Sequence, residues 1–390
     1  MSAAEGQGLT GRLPHLAPLD GLRAIAVAAV MAFHTGASWA VGGFLGVDVF
    51  FVLSGFLITV LLLMEWQRRS QVSLRRFYAR RALRLLPAVT LMCVVILVIG
   101  PVGTGAAARN ALWKAVAGTM FYFQNWQQAF HLIPILQLTD HTWSLAIEEQ
   151  FYLVWPTLLI ATLLLARRAG RDPLKAALIV ALTLAAASAI EKIVLWSGPG
   201  SQARIYYGTD TRADPLLIGA ALGICYVSGA LERLRRFLPA LAPVALLVIV
   251  VTFGFVHDSS PRLYQGGLTA FAVASAVLIG GMALAPATRL GRALAVAPLV
   301  WLGRVSYGIY LWHWPVYRYL HPARLGLSWE PTQFVRIAVT LAAATISFYV
   351  VERPLLRLRH RFDPPVDARR EVAADVTAPP PAAADAGVAG

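Results

Sequence analysis

Residues 44–66 read FLGVDVFFVLSGFLITVLLLMEW, and residues 68–84 read RRSQVSLRRFYARRALR. The first stretch is long enough to cross a bilayer, whose hydrocarbon core of about 30 Å takes about 20 helical residues. The second holds arginines at 68, 69, 75, 76, 80, 81 and 84. Such a cluster beside a span marks a loop that stays in the cytoplasm. The apolar run also carries Asp48 and Ser54. Two expectations follow: a chain threaded through lipid, and polar chemistry inside it.

The rest of the 390 residues has the same character, 58% hydrophobic and only 14% charged. A soluble domain has about 25% charged residues, so this composition and a mean hydropathy of +0.63 exclude an ordinary water-soluble fold. The expected fold class is all-α, because a helix satisfies its own backbone in lipid. Net charge is +14, and lysine stands only at 114, 175 and 192. The arginines sit in short loops between apolar runs, so membrane topology accounts for them better than nucleic acid does. Cys93 and Cys225 lie inside apolar runs and read as small buried hydrophobes. No disulfide framework and no Cys/His metal spacing is present. The N-terminal residues lack a signal-peptide pattern.

Ten candidate spans can be drawn, near 22–39, 44–66, 86–104, 147–166, 175–196, 213–229, 239–256, 266–284, 299–319 and 333–351. A weaker segment at 111–125 carries Lys114, Gln124 and Asn125 and reads as an amphipathic or re-entrant piece. With both termini cytoplasmic, the inner loops hold the seven arginines above, then Arg167, Arg168, Arg171 and Lys175. Arg233, Arg235, Arg236, Arg289, Arg292, Arg353, Arg357, Arg359 and Arg361 follow on the same side. The outer loops keep only Arg109, Lys114, Arg204, Arg212, Arg262 and Arg324. This alternation fixes the expected orientation. It divides the chain into a short cytoplasmic segment (1–18), a transmembrane domain (19–358) and a disordered cytoplasmic tail rich in Ala, Pro and Asp (359–390).

An ionisable group inside a span costs several kcal/mol or is functional, so each one is a candidate. Arg23 opens the first span and His34 lies eleven residues on, about 16 Å along a helix. Either the two snorkel to the interfaces, or His34 is a general base for a hydroxyl proton. Asp48 reads as a carboxylate that orients or balances His34, or as a helix-packing polar group. Ser54 stands equally between those readings. Arg76, Arg80 and Arg84 fall on one helical stripe, with Arg75 and Arg81 beside it. The cluster lies on anionic lipid, cradles a phosphate, or does both.

Thr142-Trp143-Ser144-Leu145-Ala146-Ile147-Glu148-Glu149 begins the fourth span. Ser144 can cap it, Glu148 is expected to face His34, and Glu149 is expected in solvent. Arg212 and Asp214 flank the start of the sixth span and pair at the interface in the plainer reading. Ser306, Tyr310 and His313 recur at helical spacing in the ninth. An aromatic belt explains its outer end but not a mid-helix Tyr310.

Together these strings resemble the acyltransferase 3 family of membrane acyltransferases. The resemblance runs from about Leu19 to Pro354 and rests on Arg23 with ten residues before His34, and on Val52-Leu53-Ser54-Gly55-Phe56. The arginine-rich loop, Trp143-Ser144-Leu145 followed by Glu148, and Tyr307 to His313 extend it. It implies ten transmembrane helices and an acyltransferase moving groups other than amino-acyl groups. No cofactor is bound; acyl-CoA, often acetyl-CoA, is the co-substrate. Family acceptors are mostly hydroxyls of surface polysaccharides or lipid-linked glycans, or hydroxyls of natural products such as macrolides.

Carried over by position, His34, Asp48 and Glu148 would be catalytic, and Arg23, Arg75, Arg76, Arg80, Arg81 and Arg84 would hold CoA. Ser54, Trp143, Arg212, Asp214, Tyr307, Tyr310 and His313 are further site candidates. The partners implied are acyl-CoA, a glycan hydroxyl and the lipid bilayer of the plasma or inner membrane, with no nucleic acid and no metal. Some family members append an esterase-type domain; the tail here shows none, which points away from peptidoglycan as acceptor. A proton-coupled transporter using His34, Glu148 and Asp214 is the non-enzyme alternative.

Overall fold

The computed structural model describes residues 15–100, 105–133 and 138–358. The first helix, α1 (Ala17–Thr35), ends where Gly36 turns to φ 80°, a left-handed conformation that glycine adopts without steric cost. Then come α2 (Gly46–Arg69), α3 (Leu74–Ile99), α4 (Ala106–Met120), α5 (Gln124–Ala129) and α6 (Trp143–Arg168). Next are α7 (Pro173–Leu195), α8 (Gln202–Tyr207), α9 (Asp214–Val227), α10 (Leu238–Phe255) and α11 (Leu268–Leu284). The chain closes with α12 (Arg289–Leu294), α13 (Ala297–Tyr319), α14 (Pro322–Leu325), α15 (Trp329–Ile346) and α16 (Arg353–Arg357). No strand occurs among the described residues. The tail expected at 359–390 lies outside them, as does most of the segment expected at 1–18.

Eight of these helical segments, those built on α1, α2, α3, α6, α7, α10, α11 and α15, are long and apolar enough to cross a membrane. The other two expected spans are helices of a different kind. Helix α9 is apolar but has only 14 residues. Helix α13 has 23 residues but spends them on Arg304, Ser306, Tyr307, Tyr310, His313 and Arg318. The segment expected at 111–125 divides between α4 and α5 and is not among the eight. The basic stretch is not a loop: α3 begins at Leu74, with the Ser73 hydroxyl accepting from the Arg76 N–H at its start. Its arginines from 75 to 84 occupy the first turns of that helix.

Helix α10 turns Leu241, Val244, Val248, Val251 and Phe255 outward as one exposed apolar stripe, the face that lipid covers. Inside the bundle, lipid supplies no hydrophobic drive, so helices associate through close contact and polar bonds. Helix α2 packs most extensively on α9, and α1 on α13. The α2–α9 crossing depends on glycine: a Cβ at Gly55 would run into the Leu216 carbonyl, and one at Gly219 into the Val52 carbonyl. Two fully buried ion pairs pin the same region, Arg212–Asp48 at 3.0 Å and Lys192–Asp214 at 2.8 Å. Thr269 also donates to Asp214 at 2.6 Å.

Candidate active site

Two cavities open around α1 and α13. The larger, about 280 Å³, is lined by Arg23, Ser54, Arg81, Arg84, Glu148, Tyr152, Ser306 and Tyr307 among others. The smaller, about 160 Å³, is lined by His34, His141, Trp143, Tyr206, Tyr207 and Trp314 among others. Val47 and Tyr310 line both. Tyr310 therefore stands in the partition. Its hydroxyl donates to the His141 carbonyl at 2.7 Å, which leaves the Ser144 hydroxyl, 2.6 Å away, to donate to Tyr310.

In the arginine cavity, Arg23 Nε and Nη2 donate to the Ser306 hydroxyl at 3.3 and 3.1 Å. Arg81 stacks its guanidinium 3.5 Å over the Tyr152 ring and lies 3.5 Å from Glu149. Exposed Arg84 lies at the solvent-open edge. Glu148 accepts from the Ser54 hydroxyl at 3.0 Å and from the Tyr152 hydroxyl at 3.2 Å. Tyr307 donates to the Leu85 carbonyl at 3.0 Å, tying α13 to α3. Three guanidinia thus face one space beside a fixed carboxylate, an arrangement that suits an anionic, phosphate-bearing ligand.

The helical stripe expected of Arg76, Arg80 and Arg84 divides. Arg76 and Arg80 lie 4.0 and 3.8 Å from Glu65, Arg75 is exposed, and only Arg81 and Arg84 of this cluster reach the cavity. Glu65, one turn before the end of α2, draws the first pair away from Arg84.

In the histidine cavity, His34 Nδ1 lies 3.0 Å from His313 Nε2, and the two ring planes are 28° from parallel with centroids 5.0 Å apart. Trp314 meets His34 edge to face at 4.8 Å. Trp143 packs against Tyr206 and Tyr207 at 4.8 and 5.3 Å. Tyr207 lies outside the spanning helices, and burial pushes its hydroxyl up to about 12, so it enters any reaction protonated. Among the described residues no group of three or more His, Cys, Asp or Glu side chains is disposed to hold a metal ion.

Three pairings and one exposure expected from sequence are corrected. Asp48 bonds Arg212 rather than His34. Glu148 lines the arginine cavity and His34 the other. Arg212 and Asp214 do not pair with each other; Asp214 takes Lys192. Glu149 is not in solvent, since it lies beside Arg81 with little exposure. Asp48, Asp214 and Glu149 each take an opposite charge from another part of the chain, because a buried ion needs one at contact, while Glu148 is held by the Ser54 and Tyr152 hydroxyls. Arg212, placed 5.0 Å from the Tyr206 ring and 6.0 Å from Trp143, supports the cavity wall from behind.

Sequence reasoning passed over His141, Lys192, Tyr206 and Tyr207 as site or network members. His141 stands directly before the Thr142-Trp143-Ser144 string, and Lys192 is one of only three lysines; both signals were there to be followed. The two tyrosines carried none.

The sequence model of the acyltransferase 3 family, described as an acyltransferase domain, matches residues 16–352. The peptidoglycan O-acetyltransferase OatA of Listeria monocytogenes is 36% identical over 354 residues, covering 86% of this chain and 55% of that protein. The putative peptidoglycan O-acetyltransferase YrhL of Bacillus subtilis is 37% identical over 352 residues, covering 86% and 54%. The O-acetyltransferase OatA of Staphylococcus aureus is 34% identical over 356 residues, covering 87% and 57%. The chain thus spans a little over half the length of these relatives. No solved structure matches.

Proposed function

Because the chain belongs to the acyltransferase 3 family, we propose that it is a multi-pass membrane enzyme that moves an acetyl group from acetyl-CoA to a hydroxyl of a glycan. The observation that carries this reading is the pair of cavities sharing the Tyr310 partition, one lined by guanidinia and the other by imidazoles. The CoA phosphates dock on Arg81 and Arg84, and the pantetheine arm runs inward past Arg23 toward the partition. The acceptor hydroxyl enters the second cavity, where the ring faces of Trp143, Tyr206, Tyr207 and Trp314 suit stacking against a sugar. His34 takes the hydroxyl proton, the oxygen forms the ester bond to the acyl carbon, and the thioester C–S bond breaks. The imidazolium then returns its proton to the CoA thiolate.

In this reading all ten long or apolar helices cross the plasma membrane. The start of α3 and both termini face the cytoplasm, where acyl-CoA is available. The relatives' names make peptidoglycan the first glycan to test, against the expectation drawn from the tail; a natural-product hydroxyl is the second.

The test is purified protein in detergent with radiolabelled acetyl-CoA and peptidoglycan fragments. Ester-linked label is expected on the glycan, and His34→Ala should remove about 10²–10⁴-fold of the rate. A wild-type protein that releases no CoA with any glycan or small-molecule hydroxyl acceptor overturns the enzyme reading, and a transporter would behave that way. Arg75, exposed at the start of α3, is the topology probe: Arg75→Cys should be labelled from the cytoplasm, and labelling from outside overturns the orientation.

A further inference from the structure

Proton positions around His34 follow from what each neighbour can accept. A carbonyl oxygen only accepts. His313 Nδ1 lies 2.6 Å from the Tyr310 carbonyl. His313 therefore carries its proton on Nδ1, and in the neutral ring Nε2 is a lone pair. That Nε2 lies 3.0 Å from His34 Nδ1, so His34 Nδ1 must be the donor. This contact holds the His34 proton on Nδ1 and leaves Nε2 unprotonated.

We propose that His313 is a positioning residue that fixes His34 in its Nδ1–H tautomer, so that the Nε2 lone pair serves the histidine cavity as the base. The inference rests on the acyltransferase reading for its consequence, though not for its geometry. When His34 Nε2 takes the acceptor proton, the positive ring keeps its Nδ1–H bond to His313, and that bond holds its orientation during the turnover. The other titratable groups around the pair are accounted for. His141, edge to face with His313 at 5.4 Å, has its Nε2 3.0 Å from the Leu311 carbonyl and so donates there. Tyr310 is committed to the His141 carbonyl, and Tyr317 meets His313 edge to face at 5.9 Å. Asp140 lines the same cavity.

Two variants and one spectrum test it. His313→Leu removes the acceptor, and kcat for transfer should fall roughly ten- to hundredfold, the usual loss when a residue orienting an active histidine is deleted. KM for acetyl-CoA and for the acceptor should stay unchanged. His313→Gln presents an amide oxygen that accepts from His34 Nδ1–H, and should recover most of that loss. Wild-type kcat in His313→Leu, or His313→Gln no better than His313→Leu, overturns the proposal. The nitrogen-15 spectrum of histidine-labelled wild-type protein, assigned by the signals lost in His34→Ala, should show His34 protonated at Nδ1 and bare at Nε2. An Nε2–H tautomer overturns the proposal whatever the variants do. The spectrum needs no turnover, so a wild-type protein without transferase activity would sink the acyltransferase reading while still deciding the role of His313.

Discussion

Replacing Asp48 by Leu, or Arg212 by Met, should each destabilise the bundle by about 3–5 kcal/mol, while the double replacement should cost much less than the sum. The two charged groups are fully buried 3.0 Å apart. At an effective dielectric of about 20, opposite unit charges at that distance attract by about 5.5 kcal/mol. The pair does not recover all its lost hydration, because Asp48 Oδ1 and Arg212 Nε and Nη1 have no hydrogen-bond partner. A single change strands one ion, whereas the double change removes both and with them the unrecovered cost. The assay is a double-mutant cycle on unfolding in detergent, with acetyl transfer measured on the same preparations. The reasoning expects a coupling of several kcal/mol and substantial activity in the double variant. If Asp48→Leu changes stability by less than about 1 kcal/mol and still abolishes transfer, Asp48 serves the chemistry directly and the structural account is wrong.

Arg81→Ala and Arg84→Ala should each raise KM for acetyl-CoA by roughly ten- to hundredfold, the worth of one charge-assisted hydrogen bond, while Arg75→Ala leaves it unchanged; equal effects at all three would show a diffuse field rather than a docking site. Gly55→Ala should lower stability by about 1–3 kcal/mol, since its methyl meets the Leu216 carbonyl, and an unchanged unfolding midpoint would mean that α2 and α9 are less closely packed than described. Asp210 lies outside the spanning helices and accepts from Arg204 Nη1 at 2.9 Å. Burial pushes its carboxyl up, but the hydrogen bonds from Arg204 and the Thr211 N–H outweigh it and hold the group below the usual range. A lowered folded value means the stabilisation is complete above the unfolded value near 4 and is lost as pH falls through and below it. The wild-type unfolding midpoint should therefore drop faster with acidification below about pH 4 than that of Asp210→Asn, and parallel curves would refute the assignment.

What was legible in the sequence was whatever repeats along one helix. Apolar run length located most of the long helices to within a few residues, but α3 begins twelve residues before its expected span, and Arg23, expected to open the first span, lies six residues inside α1. Helical periodicity brought Ser306, Tyr310 and His313 onto one element. Pairing between helices was not legible. Asp48 and Arg212 are 164 positions apart, and which carboxylate a buried guanidinium takes depends on how α2 and α9 cross. The crossing is set by glycines that look no different from others in the sequence. Helix ends were misjudged where polar residues continue a helix beyond its apolar stretch, as at the start of α3. The two cavities and their shared partition arise from side chains on several helices, so no local window of residues contains them.

Helix α9 has 14 residues, which at about 1.5 Å each rise about 21 Å, roughly two thirds of a 30 Å hydrocarbon layer. Helices α2, α7 and α11 surround it, so the deficit falls on protein and not on lipid tails. The chain enters the first turn of α9 through α8 and the polar turns that follow it, and α8 brings Tyr206 and Tyr207 to the cavity wall. On the proposed function, a water-soluble sugar would meet these polar turns rather than lipid tails. What separates the two cavities there is little more than Tyr310 and Val47, the side chains that line both.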